Sequence, residues 1–416
     1  MNSLNIRKWT FMVYMAGDNN LESFGVIDLN EMKASGSTDT VALVAQYDRM
    51  SDQVTRRYYL TNYRDLQADC VTELPEVNTG DPAALLDFVT WATTTYPAEK
   101  YALVLWNHGA GWKDDDIYHI AAENGISEKV TRGQVRSLTH GKLSRSLFRP
   151  TMEKTIVEAI GQERAILFDD SSADFLDNIE MRNVLIEIVQ RLGRPLDLLG
   201  FDACLMSMLE IHYQVRDLCH VVVGSQETEP GDGWPYDFVT KRLVENPDMN
   251  STLLSQGIVA DYVDFYRTAF PHLPVTQSAV STKKLHELAS AVSALGQACQ
   301  AAVSDYRSVG ILFGALRAAE SFTDPDYIDL MHFCQLLNET DPTSAVGKTA
   351  DRVCKLLSNP DSPILASAHN GPGVENASGI SIYLTTRLIS PLYAGLLFAA
   401  DCAWDEFLLA FTKPRS

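Results

Sequence analysis

The chain has 416 residues, 46% hydrophobic and 21% charged, a globular composition long enough for about two to three domains that excludes a collagen, a coiled coil and a wholly disordered chain. With 34 Lys+Arg against 54 Asp+Glu the formal net charge is −20, so nucleic acid and anionic membrane surfaces are disfavoured partners and cationic ones are favoured. Seven cysteines, an odd number with no C-x-x-C pair and no Cys/His cluster at zinc spacing, give neither a disulfide framework nor a metal knuckle. Reduced thiols and a cytoplasmic location are the expectation, since the apolar run at residues 11–16 is too short for a signal peptide and no segment reaches the ~18 to 20 apolar residues of a membrane span.

In chain order, short apolar runs at residues 9–16, 41–47, 101–106, 196–201, 221–224 and 275–281 alternate with amphipathic stretches such as 81–94, 178–191 and 205–215. Several runs are continuously apolar, as strands buried on both faces are. The alternation predicts a doubly wound, mostly parallel α/β sheet with helices on both faces, with residues 56–60 as an edge strand. Beyond residue 285 the pattern turns mainly helical (284–303, 328–338, 343–358), with one more strand at 380–384 and a loop at 359–373. The expected organisation is an α/β domain over 1–285 and a mainly helical C-terminal region over 286–416 packed on it. One stretch stands apart: residues 129–149 hold six basic side chains (Lys129, Arg132, Arg136, Lys142, Arg145, Arg149) and no acidic one. It reads either as a solvated helical face or as an exposed, cleavable loop.

Ligand sites in such sheets gather beyond the carboxyl ends of the strands. There the sequence places Asn107-His108-Gly109 after one run and Asp202-Ala203-Cys204 after another. Glycines after His108 let backbone N–H groups approach a substrate. Cys204 is expected to open the helix 205–215, whose dipole would favour the thiolate. A Cys and a His on two strand ends can form a nucleophile and proton-transfer pair despite their separation in sequence. Nucleotide, serine hydrolase and zinc protease motifs are absent from the sequence. The acidic groups Asp114-Asp115-Asp116 and Asp169-Asp170 could hold a hard divalent cation, although acidic loops are usually just solvated.

These residues resemble the clostripain-like cysteine peptidases, of the caspase, gingipain and legumain clan. The resemblance rests on residues 9–21 (WTFMVYMAGDNNL), 105–112 (LWNHGAGW), 200–206 (GFDACLM) and 225–236 (SQETEPGDGWPY), with closing blocks at 379–383 (GISIY) and 404–408 (WDEFL). It implies a caspase-like fold, Cys204 as nucleophile, His108 as its partner, and backbone N–H groups of Gly109 and Cys204 as oxyanion donors. It also implies cleavage of peptides after Arg or Lys through a thioester, with Asp202 and Asp232 at the base of the specificity pocket. No cofactor is required for that chemistry, and a structural calcium is expected from the family. The sequence departs from the simplest family members between His108 and the acidic stretch at 169–177, leaving self-cleavage at 129–149 an open expectation. The alternatives are a silent caspase-like module that binds basic peptides and, more distantly, a metal-dependent hydrolase. Natural substrate and oligomeric state are not encoded legibly.

Overall fold

The computed structural model describes residues 6–19, 21–107, 109, 166–169, 174–387, 389 and 391–413. His108, Asp114–Asp116, Asp170 and the basic stretch 129–149 lie outside the described residues, and of Asp169 only the backbone is placed.

Nine strands form the central sheet: β1 (Arg7–Gly17), β2 (Val41–Arg49), β3 (Val54–Tyr59), β4 (Cys70–Pro75), β5 (Ala98–Trp106), β8 (Leu198–Asp202), β9 (Val221–Gly224), β10 (Val275–Ser281) and β12 (Ile364–Asn370). Two small antiparallel ribbons, β6 (Ile166–Asp169) with β7 (Asp174–Leu176) and β11 (Tyr327–Asp329) with β13 (Ser381–Tyr383), complete the strands among the described residues. The order is β12-β10-β9-β8-β5-β1-β2-β3-β4. The five inner strands β9, β8, β5, β1 and β2 are mutually parallel, and an antiparallel pair extends the sheet on each side.

β1 shows why the inner runs are continuously apolar. Its side chains alternate between faces, with Trp9, Phe11, Val13 and Met15 in one core and Met12, Tyr14 and Ala16 in the other. One core is closed by helices Glu22–Ser35, Tyr236–Glu245 and Ser251–Ala269. The other is closed by Pro82–Thr95, Asn178–Leu192 and Leu285–Ala302, together with the C-terminal helices Leu330–Thr340, Ala345–Ser358 and Trp404–Thr412. Both faces are thus covered, as a parallel sheet requires. No helix among the described residues is long and apolar enough to cross a membrane.

Three expectations are corrected. β3 is not the edge, because β4 pairs outside it. The partly exposed β4 carries charge and proline instead of an apolar run, as edge strands do. The stretch 359–373 is not only loop, since β12 lies inside it and pairs antiparallel with β10, drawing one sheet strand from beyond residue 286. The expected helix 205–215 is reduced to Leu209–Gln214. Leu205 has φ 63°, a left-handed backbone that breaks a helix at its first residue. The seven cysteines are all free thiols, five of them buried.

Candidate active site

Successive strands leave β1 in opposite directions: β2 lies on one side, and β5, β8 and β9 on the other. The crevice at such a switch point is where parallel α/β sheets bind ligands. Here the carboxyl ends of β5 and β8 bring Gly109 against Cys204. A Cβ placed on Gly109 would sit 2.5 Å from the Cys204 carbonyl oxygen, 2.9 Å from the Ala203 Cβ and 3.0 Å from the Cys204 nitrogen. Only glycine fits an approach this close. The turn before it is pinned as well. The Asn107 N–H donates to the Asp202 carbonyl at 3.2 Å, and Asn19 Nδ2 donates both to Asn107 Oδ1 at 3.0 Å and to the Ala16 carbonyl at 2.8 Å. Three strand ends are thereby tied together.

Cys204 is 7% exposed. The absence of a helix directly after it removes the dipole argument for its thiolate, and a different donor takes that place. The Glu229 N–H donates to Cys204 Sγ at 3.3 Å. The sharp turn at Leu205 is held by its N–H bonding the Glu227 carbonyl at 3.2 Å and by the Ser207 N–H bonding the Ser225 carbonyl at 2.8 Å. Loop 225–229 therefore acts as a backbone splint that presents the sulfur and stabilises a conformation unfavourable for a side-chain-bearing residue.

Asp202 lies in a buried acidic cluster. Its Oδ2 accepts from the Tyr236 hydroxyl at 2.8 Å and from the Trp234 N–H at 3.4 Å. It does not cap a helix. Gly233, at φ 56°, brings its bare Cα against both Asp202 oxygens, which would lie 3.1 Å from an added Cβ. Glu229 is 5% exposed, and its Oε1 accepts from Gln277 Nε2 at 3.0 Å. Asp28, 1% exposed, accepts from Trp106 Nε1 at 2.7 Å, and Glu31 accepts from the Tyr236 N–H at 3.0 Å. Asp232, in the turn beside Gly233, acts electrostatically on Asp28 and Glu31.

Burial raises the carboxyl pKa of Asp202 against the pull of its hydrogen bonds. Burial, and then the Asp202 charge, push Glu229 well above the carboxylate range. Asp28 is raised well above it by burial and then by Asp202, and Glu31 is pushed to about 7 by burial and then by Asp237. Among the described residues, none of these five carboxyls pairs with a Lys, Arg or His side chain. A buried carboxyl without a cationic partner favours its neutral form.

The family resemblance points to Asp202 and Asp232, and both act electrostatically on Asp28 and Glu31. Asp28, Glu31 and Glu229 are not among the residues it points to. Glu229 lies inside the 225–236 block and is legible as part of that motif. Asp28 and Glu31 sit on an ordinary-looking amphipathic helix, and nothing local distinguishes them. A separate acidic set, Asp18, Asp48 and Glu76, has carboxylate oxygens within 4.8 Å of one another. Both Glu76 oxygens are buried without a hydrogen-bond partner. An all-oxygen set of this kind suits a hard cation such as calcium.

A sheet with helices on both faces, a cysteine and a glycine-backed turn on neighbouring strand ends, and a buried acidic cluster beside them define the architecture of a caspase-like cysteine peptidase. The sequence profile of the clostripain family, peptidase family C11, matches residues 13–126 and 154–409. The chain belongs to that family. It is 27% identical to clostripain from Hathewaya histolytica over 266 residues, 57% of this chain and 42% of that protein, so it spans less than half the length of this relative. The fold is similar to a secreted C11 cysteine protease from Bacteroides thetaiotaomicron solved with an irreversible peptide inhibitor, with a TM-score of 0.64 at 18% identity, covering 96% of this chain and 100% of that one. It is similar also to an inactive zymogen C11 protease from Parabacteroides distasonis, with a TM-score of 0.61 at 18% identity, covering 95% of this chain and 98% of that one.

Proposed function

We propose that this protein is a cysteine endopeptidase that hydrolyses peptide bonds after Arg or Lys. The observation that carries the specificity is the cluster of Asp28, Glu31, Asp202, Glu229 and Asp232 beside Cys204, which has no cationic partner among the described residues. In this reading the Cys204 thiolate attacks the carbonyl that follows the basic side chain. The N–H groups of Gly109 and Cys204 hold the oxyanion. His108 passes a proton to the leaving amine, and water then releases the acyl group from the thioester. Bidentate pairing with carboxylates favours a guanidinium over an ammonium in the pocket.

Two subsidiary readings belong with it. The family profile match skips residues 127–153, which contain the basic stretch 129–149, and this supports an insertion that the enzyme itself cuts. Calcium, expected from the family resemblance, would be held by Asp18, Asp48 and Glu76 and would neutralise three crowded carboxylates at the ends of β1 and β2 and just beyond β4.

A panel of fluorogenic peptides varied only at the residue before the scissile bond tests the main reading. Turnover confined to Arg and Lys is expected. Equal cleavage after Arg, Asp and Leu would refute the pocket, and binding of basic peptides without cleavage would leave a silent module.

A further inference from the structure

The closing block at 379–383 carries none of the reacting groups, yet it is bonded to the loop that holds the Cys204 sulfur. Gln226, 1% exposed, lies in that loop. Its backbone N–H and that of Glu227 both donate to Thr276 Oγ1 on β10, at 2.9 and 3.0 Å. Its side chain reaches the C-terminal region: Nε2 donates to Asp329 Oδ2 at 3.0 Å, and Oε1 accepts the Gly379 N–H at 2.7 Å. An amide offers a donor and an acceptor side by side, and these two partners fix which end is which. Both anchors are themselves held. Asp329, fully buried at the end of β11, also accepts the Ser378 N–H at 2.6 Å, the Ser378 hydroxyl at 2.8 Å and the His332 N–H at 2.8 Å. The Gly379 carbonyl accepts the hydroxyls of Ser207 and Ser278, each at 2.6 Å. The Ser207 carbonyl in turn accepts the Ser381 N–H at 2.9 Å. The stretch 378–381 thus grips the chain on both sides of the sulfur, at Gln226 on the donor loop and at Ser207 three residues after Cys204.

We propose that Gln226 is a positioning residue for the nucleophile, fixing loop 225–229 to Asp329 and Gly379 so that the Glu229 N–H stays on Cys204 Sγ. It acts through the loop backbone: three residues on, the Glu229 N–H donates to the sulfur at 3.3 Å, and one residue on, the Glu227 carbonyl holds the Leu205 N–H at 3.2 Å. A loop that slips by about 1 Å moves both, and a displacement of that size costs roughly 10²-fold in rate. The C-terminal region is thereby part of the catalytic apparatus as well as a cover for the sheet. The proposal rests on the reading of Cys204 as the nucleophile.

Gln226→Glu tests this in the full chain. A protonated carboxyl offers the same donor and acceptor as the amide, whereas an ionised one sets a second carboxylate against Asp329. Asp329 is the charged group bonded to position 226; the other carboxyls of the loop, Glu227 and Glu229, are engaged by Thr228 and Thr323 and by Gln277. Burial and the Asp329 charge both favour the protonated form of the new carboxyl, which therefore persists at mildly acid pH. On a fluorogenic Arg peptide, kcat relative to wild type at the same pH should lie within a few-fold at about pH 5 and fall roughly 10²-fold as the new carboxyl ionises toward about pH 9, with KM changing only a few-fold. Gln226→Met, which has neither polar group, should show the loss throughout. Asp305→Ala, which removes the cap of the helix Tyr306–Ala318, is the stability control: it lowers the melting temperature and leaves kcat unchanged. A kcat within twofold of wild type in Gln226→Met, or a Gln226→Glu deficit that does not change with pH, would overturn the proposal while Cys204 keeps its role. Peptide hydrolysis undiminished in Cys204→Ala would overturn the nucleophile reading and the proposal with it.

Discussion

Replacing Gly109 by alanine probes the geometry of the site without removing any polar group. The added Cβ would lie 2.5 Å from the Cys204 carbonyl oxygen, whereas ordinary contact begins at 3.4 Å. The two strand ends must therefore part by about 0.9 Å, the difference between those values. The backbone of Asn107, tied to the Asp202 carbonyl and to Asn19, resists that movement. A misplacement near 1 Å costs roughly 10²-fold in rate, and loss of one oxyanion donor about 10² to 10³. We expect kcat/KM on an Arg peptide to fall by about 10² to 10³, mostly in kcat, with a stability loss of about 1–3 kcal/mol for overpacking. The assay is steady-state turnover of a fluorogenic Arg peptide beside thermal melting of the same sample. A folded Gly109→Ala enzyme within twofold of wild-type kcat would refute the placement of Gly109 at the reacting centre.

Three other perturbations have defined outcomes. Asp232→Asn should lower turnover of an Arg peptide tenfold or more while leaving iodoacetamide alkylation of Cys204 nearly unchanged; equal effects on both would make Asp232 a general structural residue. Intact mass and N-terminal sequencing should find two fragments with a new terminus after one of Lys129, Arg132, Arg136, Lys142, Arg145 or Arg149 in the wild type and a single chain in Cys204→Ala; an intact yet fully active wild type would reject self-processing. Glu210, buried and bonded by the Tyr383 N–H and the Tyr393 hydroxyl, has its carboxyl raised to about 7 by burial. Its protonated form is thus favoured by folding, so its contribution is complete below the unfolded value of 4.5 and is lost as pH rises toward 7. That contribution is at most ~3 kcal/mol at 1.36 kcal/mol per pKa unit. Glu210→Gln should therefore lose less melting temperature than wild type between pH 4.5 and pH 8; an unchanged pH dependence would refute this.

The inner sheet is legible in the sequence because its strands are buried on both faces and leave uninterrupted apolar runs, as at 41–47 and 221–224. The outer elements are not: β4 carries the edge-strand sequence CVTELP, and β12 is only half-buried with an even polar mix, ILASAHN. Cys204 and Gly109 are legible because strand ends announce themselves by small residues after an apolar run. The helix expected directly after Cys204 fails to form there, because the propensity of Leu205 and Met206, both good helix formers, is overridden by bonds to loop 225–229. Those partners lie about two dozen residues away, and local periodicity contains no trace of them. Asp28 and Glu31 are hidden for the same reason: their significance comes from convergence on Asp202, which only the folded sheet brings about.

The central claim, that Cys204 is the nucleophile of a peptidase selective for basic side chains, is tested most directly by an affinity label. The protein is treated with a peptidyl chloromethyl ketone ending in Arg and with its counterpart ending in Asp, and the adduct is located by peptide mapping. The account predicts one equivalent of the Arg label on Cys204 sulfur, slowed by benzamidine, absent in Cys204→Ala and far slower with the Asp reagent. Labelling that falls on another cysteine, such as the partly exposed Cys354 whose thiol is lowered by its hydrogen bond to Cys334, or that is indifferent to the Arg side chain, would contradict it.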